Sequence, residues 1–156
     1  RPTGCLSRRN LQDGAERAAR VTTDQPLRAT GRCLCGGVRF AVHGPLRAVI
    51  LCHCGQCRRT HGHFAAYTSA VRGDVVLQAD STLQWFDSSA SARRGFCSKC
   101  GASLFWEPAG ENRLAIAAGC LDTPTGLTTS HHIFVEDAAD YYRITDDLPR
   151  NSGYPG

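Results

Sequence analysis

Nine cysteines occur in this chain, and seven of them fall into three tight clusters: Cys33-x-Cys35, Cys52-x-Cys54-x2-Cys57 and Cys97-x2-Cys100. Thiols one or two residues apart can turn several sulfurs onto one metal ion, whereas bridging them to each other would close a small, strained loop. The odd total and the Cys-x-Cys spacing also argue against the disulfide framework of a small secreted domain. The chemistry these residues can do is therefore metal binding, with zinc as the expected ion.

A closed structural zinc site takes four protein ligands, and a catalytic one keeps three and an open position. Seven thiols divide into four and three. Cys97-Ser98-Lys99-Cys100-Gly101 reads as a zinc knuckle, in which the glycine lets backbone amides turn toward the sulfurs. Cys33-Leu34-Cys35-Gly36 is a second half-site of the same kind. Joined, they make one four-cysteine site that ties the start of the domain to its later half. Cys52, Cys54 and Cys57 remain as a three-thiolate set whose fourth ligand could be water, a histidine or an incoming thiol, and these three are the catalytic candidates. Spacing leaves other groupings open. Cys52, Cys54, Cys97 and Cys100 could form a single site, and two purely structural zincs would result if His53, His61 or His63 completed the second.

The net charge of +4 at first suggests an anionic partner. Six of the 18 basic residues lie in the first thirty positions, against Asp13, Glu16 and Asp24, which leaves 12 basic and 11 acidic residues from Gly31 onward. Thiolates on zinc would make that remainder weakly acidic, so nothing resembles a nucleic-acid footprint. The sequence has no apolar run long enough to span a bilayer and no basic stretch leading into a signal-like apolar region, so no membrane partner and a reducing, cytoplasmic setting are expected. Residues 1–29 read as a basic extension, with a short weak helix at Leu11–Arg20 and a spare thiol at Cys5. Residues 30–156 read as one zinc-binding domain.

The elements that must position the cysteines are short and of period two. Val38, Phe40 and Val42 share one face of a half-buried strand, with Arg39 and Ala41 on the other. Further strands are expected at Leu46–Leu51, Phe64–Val71, Val75–Gln78, Leu83–Phe86, Ser103–Trp106, Arg113–Ala117, His132–Val135 and Tyr141–Ile144, separated by Gly- and Pro-rich turns. One helical turn is expected after Cys57 and no long helix. The fold class is mainly β, with antiparallel sheets pinned by cysteine zinc sites. Trp85, Phe86, Phe105 and Trp106 are expected in the core or as pocket wall, and Cys120 as a small buried side chain.

Three segments carry a resemblance: Gly31-Arg-Cys-Leu-Cys-Gly-Gly-Val-Arg-Phe40, Cys52-His-Cys-Gly-Gln-Cys-Arg-Arg59, and Phe96-Cys-Ser-Lys-Cys-Gly-Ala-Ser-Leu-Phe105. In order and separation they resemble the motifs of the glutathione-dependent formaldehyde-activating enzyme family, in its shorter branch, and Gly119-Cys-Leu-Asp122, His132-Ile-Phe-Val135 and Asp147-Leu-Pro149 are similar to its later motifs. The resemblance implies a β-tent fold and two zincs per chain: a structural one on Cys33, Cys35, Cys97 and Cys100, and one with an open position on Cys52, Cys54 and Cys57. It implies a carbon–sulfur lyase whose partners are a small thiol such as glutathione and formaldehyde or another small aldehyde. The wider superclass also includes centromere protein V, discussed as a chromatin component, so a zinc-stabilised β module that binds a protein, chromatin or thiol partner without turnover is the alternative.

Beside the metals, Arg58 and Arg59 are candidates to clamp the carboxylates of a glutathione-like ligand. His53 points away from the metal if its neighbours point in. His61 and His63 are candidates to reach the second zinc or to act as acid or base. Of His131 and His132, one is expected to face the interior and the other solvent, and neither is expected to bind metal.

Overall fold

The structure, a computed structural model, describes residues 25–155. The chain builds β1 (Leu27–Arg32), β2 (Arg39–His43), β3 (Val49–Cys52), α1 (Gly55–His61), β4 (Ala65–Val71), β5 (Val75–Ala79), β6 (Leu83–Ser89), β7 (Ala92–Cys97), β8 (Ser103–Pro108), β9 (Arg113–Ala117) and β10 (Thr129–Ile133). Two sheets result: a three-stranded one in the order β1-β2-β5 and a seven-stranded one in the order β10-β3-β4-β9-β8-β7-β6. Pairing is antiparallel except between β10 and β3. The mainly β class expected from the alternation is what forms, and the only α-helix among the described residues spans seven.

The core lies between the sheets. Phe40 from β2 meets Phe105 from β8 edge-on, with ring centroids 5.2 Å apart, and Trp85 from β6 stacks on Phe105 at 6.0 Å. Leu104, Leu114, Ile116, Val38 and Val42 fill the space around them. Close approach explains one glycine: a Cβ at Gly95 would stand 3.0 Å from Phe105 Cδ2 and 3.1 Å from Trp85 Cζ3, so a bare backbone lets those rings close over β7.

Several elements differ from expectation for physical reasons. Strands β1 and β7 were not foreseen, because Leu-Arg-Ala-Thr-Gly-Arg and Ala-Arg-Arg-Gly-Phe-Cys lack apolar alternation. Pairing with neighbours holds them, β7 on both its edges. The segment expected as a strand at Tyr141–Ile144 is irregular, its tyrosines being spent on His53 and His63. Helix α1 begins at Gly55 and includes Cys57, where a turn following it was expected. The last strand covers Thr129–Ile133 and stops at Phe134, whose φ of 55° leaves extended backbone. Leu46 lies outside β3, and Phe86 is exposed. The helix expected at Leu11–Arg20 and the spare thiol Cys5 lie outside the described residues. No helix among the described residues is long and apolar enough to cross a membrane.

The aromatic stack between the sheets sets a first expectation. Phe105→Ala should reduce the unfolding free energy by about 3–5 kcal/mol in denaturant melts. A loss under ~1 kcal/mol would show that the sheets do not depend on it.

Candidate metal centre

The structure sorts the seven clustered cysteines into two groups, within each of which all the sulfurs lie no more than 4.8 Å apart: Cys33, Cys35, Cys97 and Cys100, and separately Cys52, Cys54 and Cys57. A grouping of Cys52 and Cys54 with Cys97 and Cys100 does not form.

The first group is built from two turns of similar design on different sheets. Cys33 N–H donates to the Val38 carbonyl (3.0 Å) and Cys97 N–H to the Ala102 carbonyl (2.9 Å). Gly36 and Gly101 take φ of 76° and 73°, the left-handed region that glycine enters without steric cost, and their N–H groups donate to the carbonyls of Cys33 and Cys97. Each turn thereby brings its two sulfurs to one point, with Cys33 and Cys97 buried and Cys35 exposed. Val38 N–H donates to Cys33 Sγ (3.3 Å), and Thr82 Oγ1 stands 3.1 Å from Cys97 Sγ. The Thr82 hydroxyl is the chief reason that Cys97 is held down at about 6, below the ordinary thiol value.

The second group is more compact. Cys52 ends β3, Cys54 caps α1 by accepting from Cys57 N–H (3.4 Å), and Cys57 follows in the helix. Gly62, with φ of 75°, ends the helix and returns its N–H to the Arg58 carbonyl. The three thiols share their protons unequally: hydrogen bonds from Cys52 and then Cys57 pull Cys54 down to about 2, while the bonds to Cys54 and Cys57 push Cys52 far above the thiol range. One negative charge is accommodated and further ones are resisted, a conflict that a bound dication removes. By donor type and spacing both groups fit a soft metal ion. No histidine nitrogen among the described residues joins either group.

Each histidine has another task. His61 sets Nδ1 3.0 Å from the Cys57 carbonyl and Nε2 3.1 Å from Tyr67 Oη, and His63 Nδ1 faces Tyr141 Oη at 2.8 Å. His53 is completely buried. His53 Nε2 lies 2.8 Å from His132 Nδ1, and His132 Nε2 lies 2.9 Å from Asp146 Oδ1. Because the Asp146 carboxylate only accepts, His132 donates from Nε2, and in its neutral form it accepts at Nδ1. His53 then donates from Nε2 and accepts at Nδ1 from the Tyr142 hydroxyl. Burial, followed by the neighbouring His132, depresses the His53 pKa. The chain braces the backbone between Cys52 and Cys54 from behind. Tyr142, 89 residues from His53, and Asp146, 14 from His132, carried no local signal of this role.

In front of the second group opens a cavity of about 500 Å³. Its wall includes all three cysteines with Tyr67, Trp106 and Phe134, and its cations are Arg47, Arg94 and Arg113. Arg94 Nη2 lies 3.7 Å from Cys57 Sγ and 3.2 Å from Gln56 Oε1. Arg58 and Arg59, the expected carboxylate clamp, do not line it, and Arg59 turns back to the Gly55 carbonyl. Of the arginines that do line it, Arg94 and Arg113 sit on β7 and β9, far along the chain, and Arg47 lies in the loop just before β3. Arg94 falls on β7, a strand that alternation does not reveal. Cys120 is outside both groups, with its S–H directed at the Ser103 carbonyl, and burial raises it to about 11.

The fold and these groups define a mainly β protein with two cysteine clusters able to hold metal ions, one of them at the base of a cavity. The family model described as glutathione-dependent formaldehyde-activating enzyme matches residues 28–137, and the chain belongs to that family. A crystal structure of a Rhodobacter sphaeroides protein is similar in fold, with a TM-score of 0.53 and 22% sequence identity over 64% of this chain and 97% of that one.

Two outcomes follow from this geometry. Elemental analysis of Cys54→Ser should show the loss of one metal ion per chain with the circular dichroism of the fold kept, whereas Cys97→Ser should unfold the protein. Equal loss of structure in both variants would contradict the separation of the two groups. At neutral pH, Cys120 should react with iodoacetamide about 100-fold more slowly than an exposed thiol, as followed by peptide mass spectrometry.

Proposed function

We propose that this protein is a zinc-dependent carbon–sulfur lyase that forms or cleaves the adduct of a small thiol, such as glutathione, with formaldehyde or another small aldehyde. The observation that carries this reading is the convergence of Cys52, Cys54 and Cys57 at the base of a cavity with no fourth protein donor among the described residues. Family membership supports the thiol and aldehyde chemistry. In the same reading Cys33, Cys35, Cys97 and Cys100 hold a structural zinc, residues 30–156 belong to one zinc-binding domain whose first strand reaches back to Leu27, and the residues before that strand are an appended basic arm. The free thiols suit a reducing cytoplasm.

A zinc ion bound by Cys52, Cys54 and Cys57 would supply Lewis acidity, favouring the thiolate form of a substrate thiol and polarising an oxygen. The protein's own residues do the rest. Trp106, Phe134, Ile50 and Ile133 give the cavity an apolar wall beside the reacting pair. In the adding direction the substrate S–H bond breaks, a C–S bond forms to the aldehyde carbon, and the proton ends on the former carbonyl oxygen. Cleavage is the reverse, and neither direction needs an oxidant. Tyr67 is the phenol placed for the proton: burial raises its pKa and keeps it protonated, and its Oη lies 3.1 Å from His61 Nε2 on a residue that lines the cavity.

Zinc content of protein purified under reducing conditions, with glutathione and formaldehyde turnover, tests the proposal. Two zincs per chain and accelerated adduct formation or breakdown are expected, with Tyr67→Phe lowering turnover about 10- to 100-fold. Two zincs that ignore every thiol, each with four protein ligands, would leave a structural binding module as the function.

A further inference from the structure

Among the charged residues lining the cavity, Arg47, Arg94 and Arg113 face a single acid, Asp137. Arg113 is paired with Glu111, outside that wall. Arg47 and Arg94 form no ion pair among the described residues. Arg94 is only 8% exposed, and its Nε and Nη1 find no hydrogen-bond partner. Arg47 donates from Nε to Ser69 Oγ (3.0 Å) and from Nη2 to the Tyr67 carbonyl (3.2 Å), leaving Nη1 buried and unpartnered. His131 Nε2, on the same wall, is also buried without a partner. Buried guanidinium donors left unmatched are costly, and a fork of N–H groups matches a carboxylate better than other small anionic groups of biological substrates except phosphate.

The thiolate cluster does not account for this charge. Arg94 meets it through Nη2 alone. Arg47 is further off: Cys52 pairs with Ala65 on β4, and the Tyr67 and Ser69 groups that hold Arg47 lie two and four residues along that strand. At about 3.3 Å per residue this is roughly 7–13 Å from Cys52. The cavity thus has one cation against the sulfurs and another well removed from them. Burial, followed by repulsion from Arg113, lowers the Arg47 pKa, which is consistent with crowded positive charge awaiting a counter-ion.

We propose that the cavity is a carboxylate-binding subsite whose anion seats are Arg94 and Arg47. This deepens the lyase reading and rests on it only for which sulfur and carbon react. A carboxylate on a short carbonyl partner, as in a 2-oxo acid, is within reach of Arg94. A carboxylate at the far end of an extended thiol is within reach of Arg47.

Isothermal titration of the metal-loaded full chain with butyrate and butyramide, neither of which carries a thiol, tests the subsite even if the lyase reading fails. Butyrate should bind at least ten-fold more tightly, and equal binding of the two, or no binding of butyrate, overturns the proposal. Arg47→Gln and Arg94→Gln, checked for folding by circular dichroism, should each abolish one of the two butyrate sites and leave the other. Retention of both sites in folded Arg47→Gln and Arg94→Gln also overturns it. If Arg94→Gln does not fold, the wild-type comparison and Arg47→Gln decide. Titrations of glyoxylate against formaldehyde, and of glutathione against its diester, identify the source. Preference for glyoxylate lost in Arg94→Gln supports the carbonyl partner, preference for glutathione lost in Arg47→Gln supports the thiol, and no preference for either acid counts against the subsite.

Discussion

The structure depends on bringing like groups together that resist being together. Four sulfurs from two turns 62 residues apart, and three more from one short segment, are each gathered within 4.8 Å. Neighbouring thiols cannot all ionise, and the opposed shifts of Cys52 and Cys54 express that conflict directly. A dication in the first group would turn the conflict into a tie across the fold, because it would be felt only when both segments are in place. The first group joins the end of β1 on the small sheet to the end of β7 on the large one. The aromatic stack of Phe40, Phe105 and Trp85 closes the gap between those sheets.

The second group is set up differently. Its three sulfurs come from six consecutive residues, so no distant segment is needed to assemble them. Distant segments supply the surroundings instead. His53, wedged between two of the cysteines, is held by His132 of β10 and Tyr142, with Asp146 behind. Phe134, in the left-handed region, ends β10 and turns the chain along the cavity wall. Strand β7 brings Arg94 against Cys57. The reactive thiols are thus local in sequence, and what they could react with is decided by residues far away.

This difference explains what could and could not be read in advance. Cys33, Cys35, Cys97 and Cys100 were legible as partners because glycine after each pair is demanded by the turn itself, a local requirement. The pattern of short apolar runs between turn residues revealed β2, β4, β8 and β9, which are buried on consecutive residues and so on both faces. It missed β7, whose Arg-Arg-Gly run is polar yet lies between two paired strands, and with it Arg94. Arg58 and Arg59 are candidates only through following Cys57 in the sequence. A helix starting at Gly55 sends them away from the cavity, with Arg59 folded back onto its own turn.

The sequence alone determined three cysteine clusters with metal-ligand spacing, the mainly β class and the family resemblance, since each depends on spacings of a few residues or on period-two patterns that backbone geometry reads directly, whereas which clusters join was left to the tertiary structure. Only the tertiary structure decided the cavity, its arginines and the buried Tyr142–His53–His132–Asp146 chain. Those contacts join residues 14 to 89 positions apart and are stabilised by burial and hydrogen bonding that exist once the sheets have formed, so no stretch of sequence carries their signature.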